Sequence, residues 1–430
     1  MRKGNAAESY TKGGHPTMAT DRRTQRPLGS ATIISRRRFL KQTAFTTAVV
    51  SVPYLAAKKT VASGKEGSAS GQGAKGADAA LDRALKELVA MEGGPPGAIA
   101  IVQRGNHREV HSFGVRNIKS GLPLRADDHM RLASASKAFN GAVALSLVSK
   151  GELSLSDTIG ELLPDLPQLW HNITLRQLLN HTSGLPNFTE DQEYLAALGV
   201  SPKNAPSPRM LLSYVEDEPL NFEPGSEYRY SNTDNIAVGL MVEAATGEPY
   251  EQQLREQVYG PLGLKKTSLP RGANLRKPFI HGYDNNPSQQ PPEDISEVLA
   301  SGWVWASGGM VSTPSEVNDF VRGYVGGELF DLTTRERQRQ VVEGGSSEPP
   351  GPGKNSAGLG IFRYETRCGT VWGHTGNYPG YTQFLAASPN GKRSVTVSVN
   401  EQLSPVQGAP GVFDALRRAE VKAVCAALAD

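Results

Sequence analysis

RLASASKAFNGAVALSLVSKG, running from Arg131 to Gly151, is the stretch on which the reading of this chain turns. Ala142, Val143, Leu145, Leu147 and Val148 recur near helical period, and Gly151 stands where a helix would stop, so the spacing predicts a helix. Ser134 and Lys137 lie three apart near its start and therefore share one face. A hydroxyl beside an amine at a helix N-terminus is one way to build a nucleophile. The amine takes the proton if its pKa is lowered, and the unpaired N–H groups of the first turn favour the oxyanion that follows.

Working outward, two short motifs supply partners. Tyr230-Ser231-Asn232 comes 96 residues after Ser134, in a loop before a helical pattern. His374-Thr375-Gly376 comes 144 residues after Tyr230, on a strand pattern. A Ser-x-x-Lys match alone is cheap: Ser9-Tyr10-Thr11-Lys12 also fits, as Tyr283-Asp284-Asn285 fits Tyr-x-Asn, and both read as noise. The order and context of the three motifs carry the argument. The bland alternatives are a helix-capping Ser134 with a solvated Lys137, a core Tyr230, and a His374 that only packs beside Trp372. His181 reads as a structural hydrogen-bonding residue. The histidines show no metal-ligand spacing, and no Gly-x-Ser-x-Gly elbow is present.

The rest of the chain sorts strands to its two ends. Ala98–Gln103 and Glu109–Val115 read as a hairpin turning at Gly105-Asn106. Later strands are expected at Gly360–Tyr364, Thr370–His374, Gln383–Ala387 and Val395–Asn400, with Pro389-Asn390-Gly391 as a turn. Between them the patterns are mostly helical. Thr174 and Ser207 read as caps, with Pro208 at a first helical position. Residues 271–300 and 343–356 read as loops. A helix is expected from about 79 to 91 and another from Val412 to Leu428. This predicts an α+β or α/β sandwich: a central antiparallel sheet built from both chain ends, flanked by helices, with an inserted mostly helical part over about 131–270 and the sheet over about 97–117 and 357–400. A site is expected in the cleft between the two.

At 430 residues, 38% hydrophobic and 21% charged, the chain fits a soluble globular protein with a full core. Its net charge of +3 is uneven: residues 1–57 hold ten Lys/Arg against two Asp/Glu, a surplus of +8 that leaves −5 for the remainder. That balance excludes a broad nucleic-acid-binding surface. No run of eighteen apolar residues marks a membrane span. Ser35-Arg36-Arg37-Arg38-Phe39-Leu40-Lys41, followed by a modest apolar run and Ala56-Ala57, resembles a twin-arginine export signal over residues 1–57. Residues 58–78, rich in Gly, Ser, Ala and Lys, read as a flexible linker, and 79–430 as the functional body. In an exported chain, the two cysteines, Cys368 and Cys425, are expected to pair and tie the last helix to the sheet; two buried free thiols are the alternative.

The three motifs in this order resemble the serine β-lactamase and penicillin-recognising D-Ala-D-Ala peptidase superfamily. Tyr-Ser-Asn is similar to its class C β-lactamase branch, and His-Thr-Gly to the Streptomyces-type D-Ala-D-Ala carboxypeptidases within it. ITLRQLLNHTSGL (173–185), YSNTDNIAVG (230–239) and SGGMVSTPSEVNDF (307–320) share the resemblance, which spans about 80 to 400. It implies a β-lactamase-type fold with Ser134 as the acylated nucleophile. Lys137 and Tyr230 would share the base work, each lowering the other's pKa, and Asn232 would hold Lys137 and a substrate amide. The backbone N–H groups of Ser134 and Asn377 would form the oxyanion hole. His374, Thr375 and Gly376 would lie along the substrate, the first two facing its carboxylate.

One departure stands out. Where such carboxypeptidases carry an Arg after the Gly-Leu-Gly-apolar run, this chain has Phe362, with Arg363 one place on and so on the opposite face. Either the strand shifts or an ester or amide becomes the better substrate. The expected activity is an exported, acyl-enzyme-forming D-Ala-D-Ala carboxypeptidase-like hydrolase, with an esterase, a D-aminopeptidase, a class C-like β-lactamase or a non-catalytic penicillin-binding sensor as alternatives. The expected partner is a small D-amino-acid peptide, ester or β-lactam, with no cofactor or metal, and a monomer is favoured.

Overall fold

The computed structural model describes residues 70–430 except Asn285 and Pro287. Its strands are β1 (Gly97–Arg104), β2 (His107–Gly114), β3 (Met130–Arg131), β4 (Val311–Ser312), β5 (Val342–Glu343), β6 (Lys354–Ala357), β7 (Phe362–Thr366), β8 (Gly369–Tyr378), β9 (Tyr381–Ala387) and β10 (Arg393–Val399). Eight form one antiparallel sheet in the order β2-β1-β10-β9-β8-β7-β6-β5. The first long strand thus pairs with the last, Ala98 opposite Val399, and the sheet closes the chain's two ends together as expected. The expected sheet started at 357; β5 and β6 extend it back to Val342, because Lys354–Ala357 pairs with β7 despite its polar composition.

Both faces of the central strands are covered, and β1, β8, β9 and β10 are buried along nearly their whole length. On one face the helices Ser70–Ala90 and Val412–Leu428 pack against each other and the sheet. Leu81, Leu85 and Leu88 are fully buried there, each contributing roughly 1.5–3 kcal/mol. A disulfide joins Cys368, beside β8, to Cys425 of the last helix, so the expected pairing is present. On the other face lie the helix Pro314–Gly326 and the turn that carries Ser134. All elements between Ser136 and Leu262 are helical, as the sequence patterns predict.

Two expectations are corrected. The linker expected over 58–78 ends earlier, since the first helix begins at Ser70. Composition hides this because tertiary contacts hold the added turns: Ala77 joins the core under the sheet, and Asp78 pairs with Arg104 at 2.7 Å. The helix expected from Arg131 also starts later, at Ser136. Met130 and Arg131 form β3, which pairs with β4, and Ala133–Ala135 form a 3-10 turn. Gly151 ends the helix in the left-handed conformation, as predicted. Ser136 through Leu147 are all buried, so the apolar stripe belongs to a helix enclosed on every side. The expected export signal lies outside the described residues. No described helix is long and apolar enough to cross a membrane.

Candidate active site

Ser134 sits in the tight turn between β3 and the buried helix, and the turn is held by backbone constraints on three sides. Ala133 adopts a positive φ of 53°, an uncommon conformation for a residue with a side chain. Ser136 Oγ donates to Ala133 O at 2.7 Å and accepts from Met310 N at 3.1 Å. Arg131 anchors the approach, its guanidinium donating to the carbonyls of Ala273 and Ser296 and to Ser301 Oγ. From the sheet side, Gly376 presses against the turn. A Cβ there would lie 2.4 Å from Leu132 O and 3.1 Å from Ala135 N, so only glycine lets β8 come this close to the nucleophile.

Lys137 is buried directly below Ser134. Its Nζ lies 3.2 Å from Ser134 Oγ, 2.7 Å from Asn232 Oδ1 and 2.7 Å from Ser307 O. Burial away from water pulls its pKa down to about 7, while the negative charges of Glu348 and Asp234 oppose that fall. The three acceptors define what deprotonation does. A neutral amine keeps two N–H bonds, for Asn232 and Ser307, and turns its lone pair to the Ser134 hydroxyl. Asn232 is held in turn by Asn187 Oδ1 at 3.2 Å and Thr189 Oγ1 at 3.0 Å. It begins the helix Asn232–Thr246, with Ser231 as cap.

Tyr230 stands over this pair, its ring 4.9 Å from Lys137 Nζ. Its buried hydroxyl makes no hydrogen bond of good geometry among the described residues, yet Ser134 is the neighbour that most favours its ionisation. Here the expected mutual lowering of pKa values fails. Burial penalises the charged form of each group, which lowers a lysine but raises a phenol, and Tyr230 is held well above 10. It is a neutral proton donor at physiological pH, not a phenolate base.

His374 is also corrected in part. It is buried and its pKa falls to about 3, chiefly through desolvation and then through Lys137, so it is not a cation for a carboxylate. Its Nδ1 meets Thr375 O at 2.5 Å. The Thr375 hydroxyl donates to Pro349 O at 2.7 Å, so it is engaged by the loop between β5 and β6. The Asn377 side chain is tied to Gln407 and Thr382. Pairing between β7 and β8 ends at Phe362 opposite Gly373, which leaves the β8 edge beyond Gly373 without a β7 partner. Phe362 is buried against His374 and His181. Arg363 turns away to Glu343, at 2.6 Å, and Glu365. Phe362, and not Arg363, is therefore the residue that this strand sets beside His374.

Sequence reasoning missed five contributors. Ser307 acts through its carbonyl, which carries no residue signature, although its SGG context was visible. Asn187 and Thr189 come from a turn in helical sequence. Asp234 lies within the YSNTD run; its carboxylate holds His181 Nδ1 at 2.7 Å and Ser183 Oγ at 2.5 Å behind Tyr230. Glu348 lies in a stretch that reads only as loop. As a possible metal site, Asp78, Glu109 and His111 cluster elsewhere, but the Arg104 guanidinium already lies 2.7 Å from Asp78 and 3.2 Å from Glu109.

A serine activated by a buried lysine, set against an antiparallel strand edge, defines a serine hydrolase of the β-lactamase and penicillin-binding type. The family model described as Beta-lactamase matches residues 81–416, and the chain belongs to that family. Penicillin-binding protein 4* of Bacillus subtilis (strain 168) is 25% identical over 304 residues, 67% of this chain and 64% of that protein. Protein flp of Staphylococcus aureus (strain MRSA252) is 24% identical over 319 residues, 72% of this chain and 60% of its own length. The chain thus spans less than two thirds of either relative. Among solved structures, a D-stereospecific amidohydrolase from Streptomyces sp. superposes with a TM-score of 0.66 at 29% identity, covering 75% of this chain and 94% of that one. The D-amino acid amidase of Ochrobactrum anthropi SV3 shares the fold, with a TM-score of 0.71 at 22% identity, covering 81% and 98%.

Proposed function

We propose that this chain hydrolyses amides or esters of D-amino acids through an acyl-enzyme on Ser134. The observation that carries this reading is the buried Lys137, 3.2 Å from Ser134 Oγ and with a pKa brought down to about 7. In the proposed reaction, neutral Lys137 takes the Ser134 proton as Oγ bonds to the acyl carbon. The oxyanion is held by the backbone N–H groups of Ser134 and Asn377. Collapse breaks the bond to the leaving amine or alcohol, which takes a proton from the Tyr230 hydroxyl, and Lys137 returns one to Tyr230. Water then attacks the ester by the reverse path.

The D-Ala-D-Ala carboxypeptidase reading is the weaker form of this proposal. It asks for a cation at the terminal carboxylate, and the site puts neutral His374 and apolar Phe362 there, with Arg363 committed elsewhere. The likeness to the D-stereospecific amidohydrolase supports amide substrates. The test is intact-mass analysis after p-nitrophenyl acetate, a D-alanine anilide, a D-Ala-D-Ala peptide and a labelled penicillin. A transient adduct on Ser134 with turnover of the anilide is expected. A permanent adduct with no turnover would favour a sensor, and no adduct with any donor would end the acyl-enzyme reading. We further propose that residues 1–57 direct export. Replacing Arg36 and Arg37 by Lys should retain the chain in the cytoplasm, and unchanged secretion would count against it.

A further inference from the structure

The loop between β5 and β6 covers the β8 edge and is fastened mainly through its backbone. Pro349 O accepts from Thr375, and Ser346 O accepts from the Tyr228 hydroxyl at 2.6 Å. Ser347 Oγ meets the Tyr364 hydroxyl at 3.0 Å. Gly345 and Gly351 lie flat against the rings of Tyr228 and Tyr364, where a Cβ would come within 2.9 Å and 2.1 Å of ring atoms. These contacts fix the backbone on both sides of one residue, Glu348, whose side chain they leave unused.

Glu348 lies within electrostatic range of the catalytic group. Its charge acts on Lys137, Tyr228 and Tyr230, and it is acted on by Glu190, Lys137 and Arg229. Among the described residues its carboxylate makes no hydrogen bond or ion pair. Both neighbouring cations are committed. Arg229 pairs with Glu190 at 3.2 Å and donates to Asn221 at 2.6 Å, and Lys137 is bound by Ser134, Asn232 and Ser307. Glu348 is half-buried, and burial raises its carboxyl pKa to about 7; with no hydrogen bond or ion pair of its own, it is a group that a ligand cation would hold ionised.

The charge balance identifies that ligand. With Lys137 protonated, Glu190, Glu348, Arg229 and Lys137 sum to zero. Lys137 is a base only when neutral, and this group is then one charge negative whenever Glu348, whose pKa burial raises to about 7, is ionised. His181 and His374 are neutral, and an ionised Asp234 only makes the balance more negative. An incoming ammonium restores the balance, whereas an incoming carboxylate worsens it.

We propose that Glu348 anchors the free α-ammonium of the substrate, so that this hydrolase releases an amino-terminal residue rather than a carboxy-terminal one. The inference rests on the acyl-enzyme reading of Ser134. The acyl carbon of the first residue bonds to Ser134 Oγ, its C–N bond breaks, the amine departs with a proton from the Tyr230 hydroxyl that Lys137 replaces with the one it took from Ser134, and water regenerates the enzyme and the free amino acid.

The test compares D-alanine p-nitroanilide with N-acetyl-D-alanine p-nitroanilide on the full chain. The wild type should prefer the free amine in kcat/KM by about tenfold or more, the value of one charge-assisted hydrogen bond. Glu348→Gln should raise KM for the free amine by roughly tenfold to a hundredfold and close the gap, and Glu348→Asp should recover part of it. Equal or better turnover of the acetylated substrate by the wild type, or an equal loss on both substrates in Glu348→Gln, would overturn the proposal. Should that variant fail to fold, competitive inhibition of the wild type decides: propylamine should inhibit and propionate should not, and the reverse would refute the anchor. Absence of a Ser134 adduct with p-nitrophenyl acetate, by contrast, indicts the nucleophile and not Glu348.

Discussion

Two walls meet at the β8 edge, and they are built on opposite plans. The Ser134 wall is saturated. Lys137 fills three acceptors, Arg131 makes four hydrogen bonds, and Asn232 is braced by two further side chains. The Glu348 wall is held by backbone carbonyls and glycine contacts, and among the described residues Glu348 makes no hydrogen bond or ion pair of its own. Saturation fixes geometry, which the bond-making step needs to within a fraction of an ångström. An unpaired group waits for a ligand. The difference assigns the chemistry to the first wall and the choice of substrate to the second.

The sharpest way to break this division is to remove the base. Lys137→Ala should slow acylation by p-nitrophenyl acetate by about 10²–10⁴-fold, read from the pre-steady-state burst. Lys137→Arg should not rescue it, because a guanidinium does not lose its proton. A burst within a few-fold of wild type in either variant would show that Ser134 is activated by something else.

A smaller effect is expected behind Tyr230. Asp234 is buried, and burial raises its pKa well above the usual range despite the bond from Ser183. Asp234→Ala strands His181 and Ser183 and should lower stability by about 2–3 kcal/mol. At the usual unfolding entropy per residue, a fold of this length should show a fall of roughly 3–4 °C in Tm by calorimetry. Asp234→Asn, which keeps the shape and one acceptor, should recover much of it. Equal stability of Asp234→Ala and wild type would remove His181 and Asp234 from the support of the first wall.

The same contrast explains what could be read before any coordinates. Ser134, Lys137, Tyr230, Asn232 and His374 were legible because they carry the motifs by their side-chain types and their order is distinctive. The sheet was legible because Val395, Val397 and Val399, with Ala98 and Ala100, write a buried strand directly. What failed was carried by context. Ser70–Asp78 is helical because it packs, which composition does not register. The pKa direction of Tyr230 and the neutrality of His374 follow from burial, which no motif encodes. Glu348 was invisible because a carboxylate among Gly, Pro and Ser reads as solvated loop. Only the bonds of Tyr228 and Thr375 to its neighbours hold its backbone beside the site.

The smallest expected effect is also the most discriminating, because it couples the two walls. Lys137 must be neutral to accept the Ser134 proton, so acylation should be lost as pH falls through its pKa and be complete above it. Desolvation puts that pKa at about 7, and the Glu348 charge raises it against the trend. Acylation by an ester with no ionisable group should therefore show an acid limb centred near pH 7 in the wild type. Removing the charge in Glu348→Gln withdraws support from the ammonium, so Lys137 gives up its proton more easily and the limb should move to lower pH. Glu348 makes no hydrogen bond to Lys137 and acts on it only through a screened interaction, so the displacement should be under about one pH unit. A limb near the ordinary lysine value would deny Lys137 its role as base. A limb that moves upward in Glu348→Gln would place Glu348 elsewhere, since a lost negative charge cannot make a neighbouring amine hold its proton more tightly.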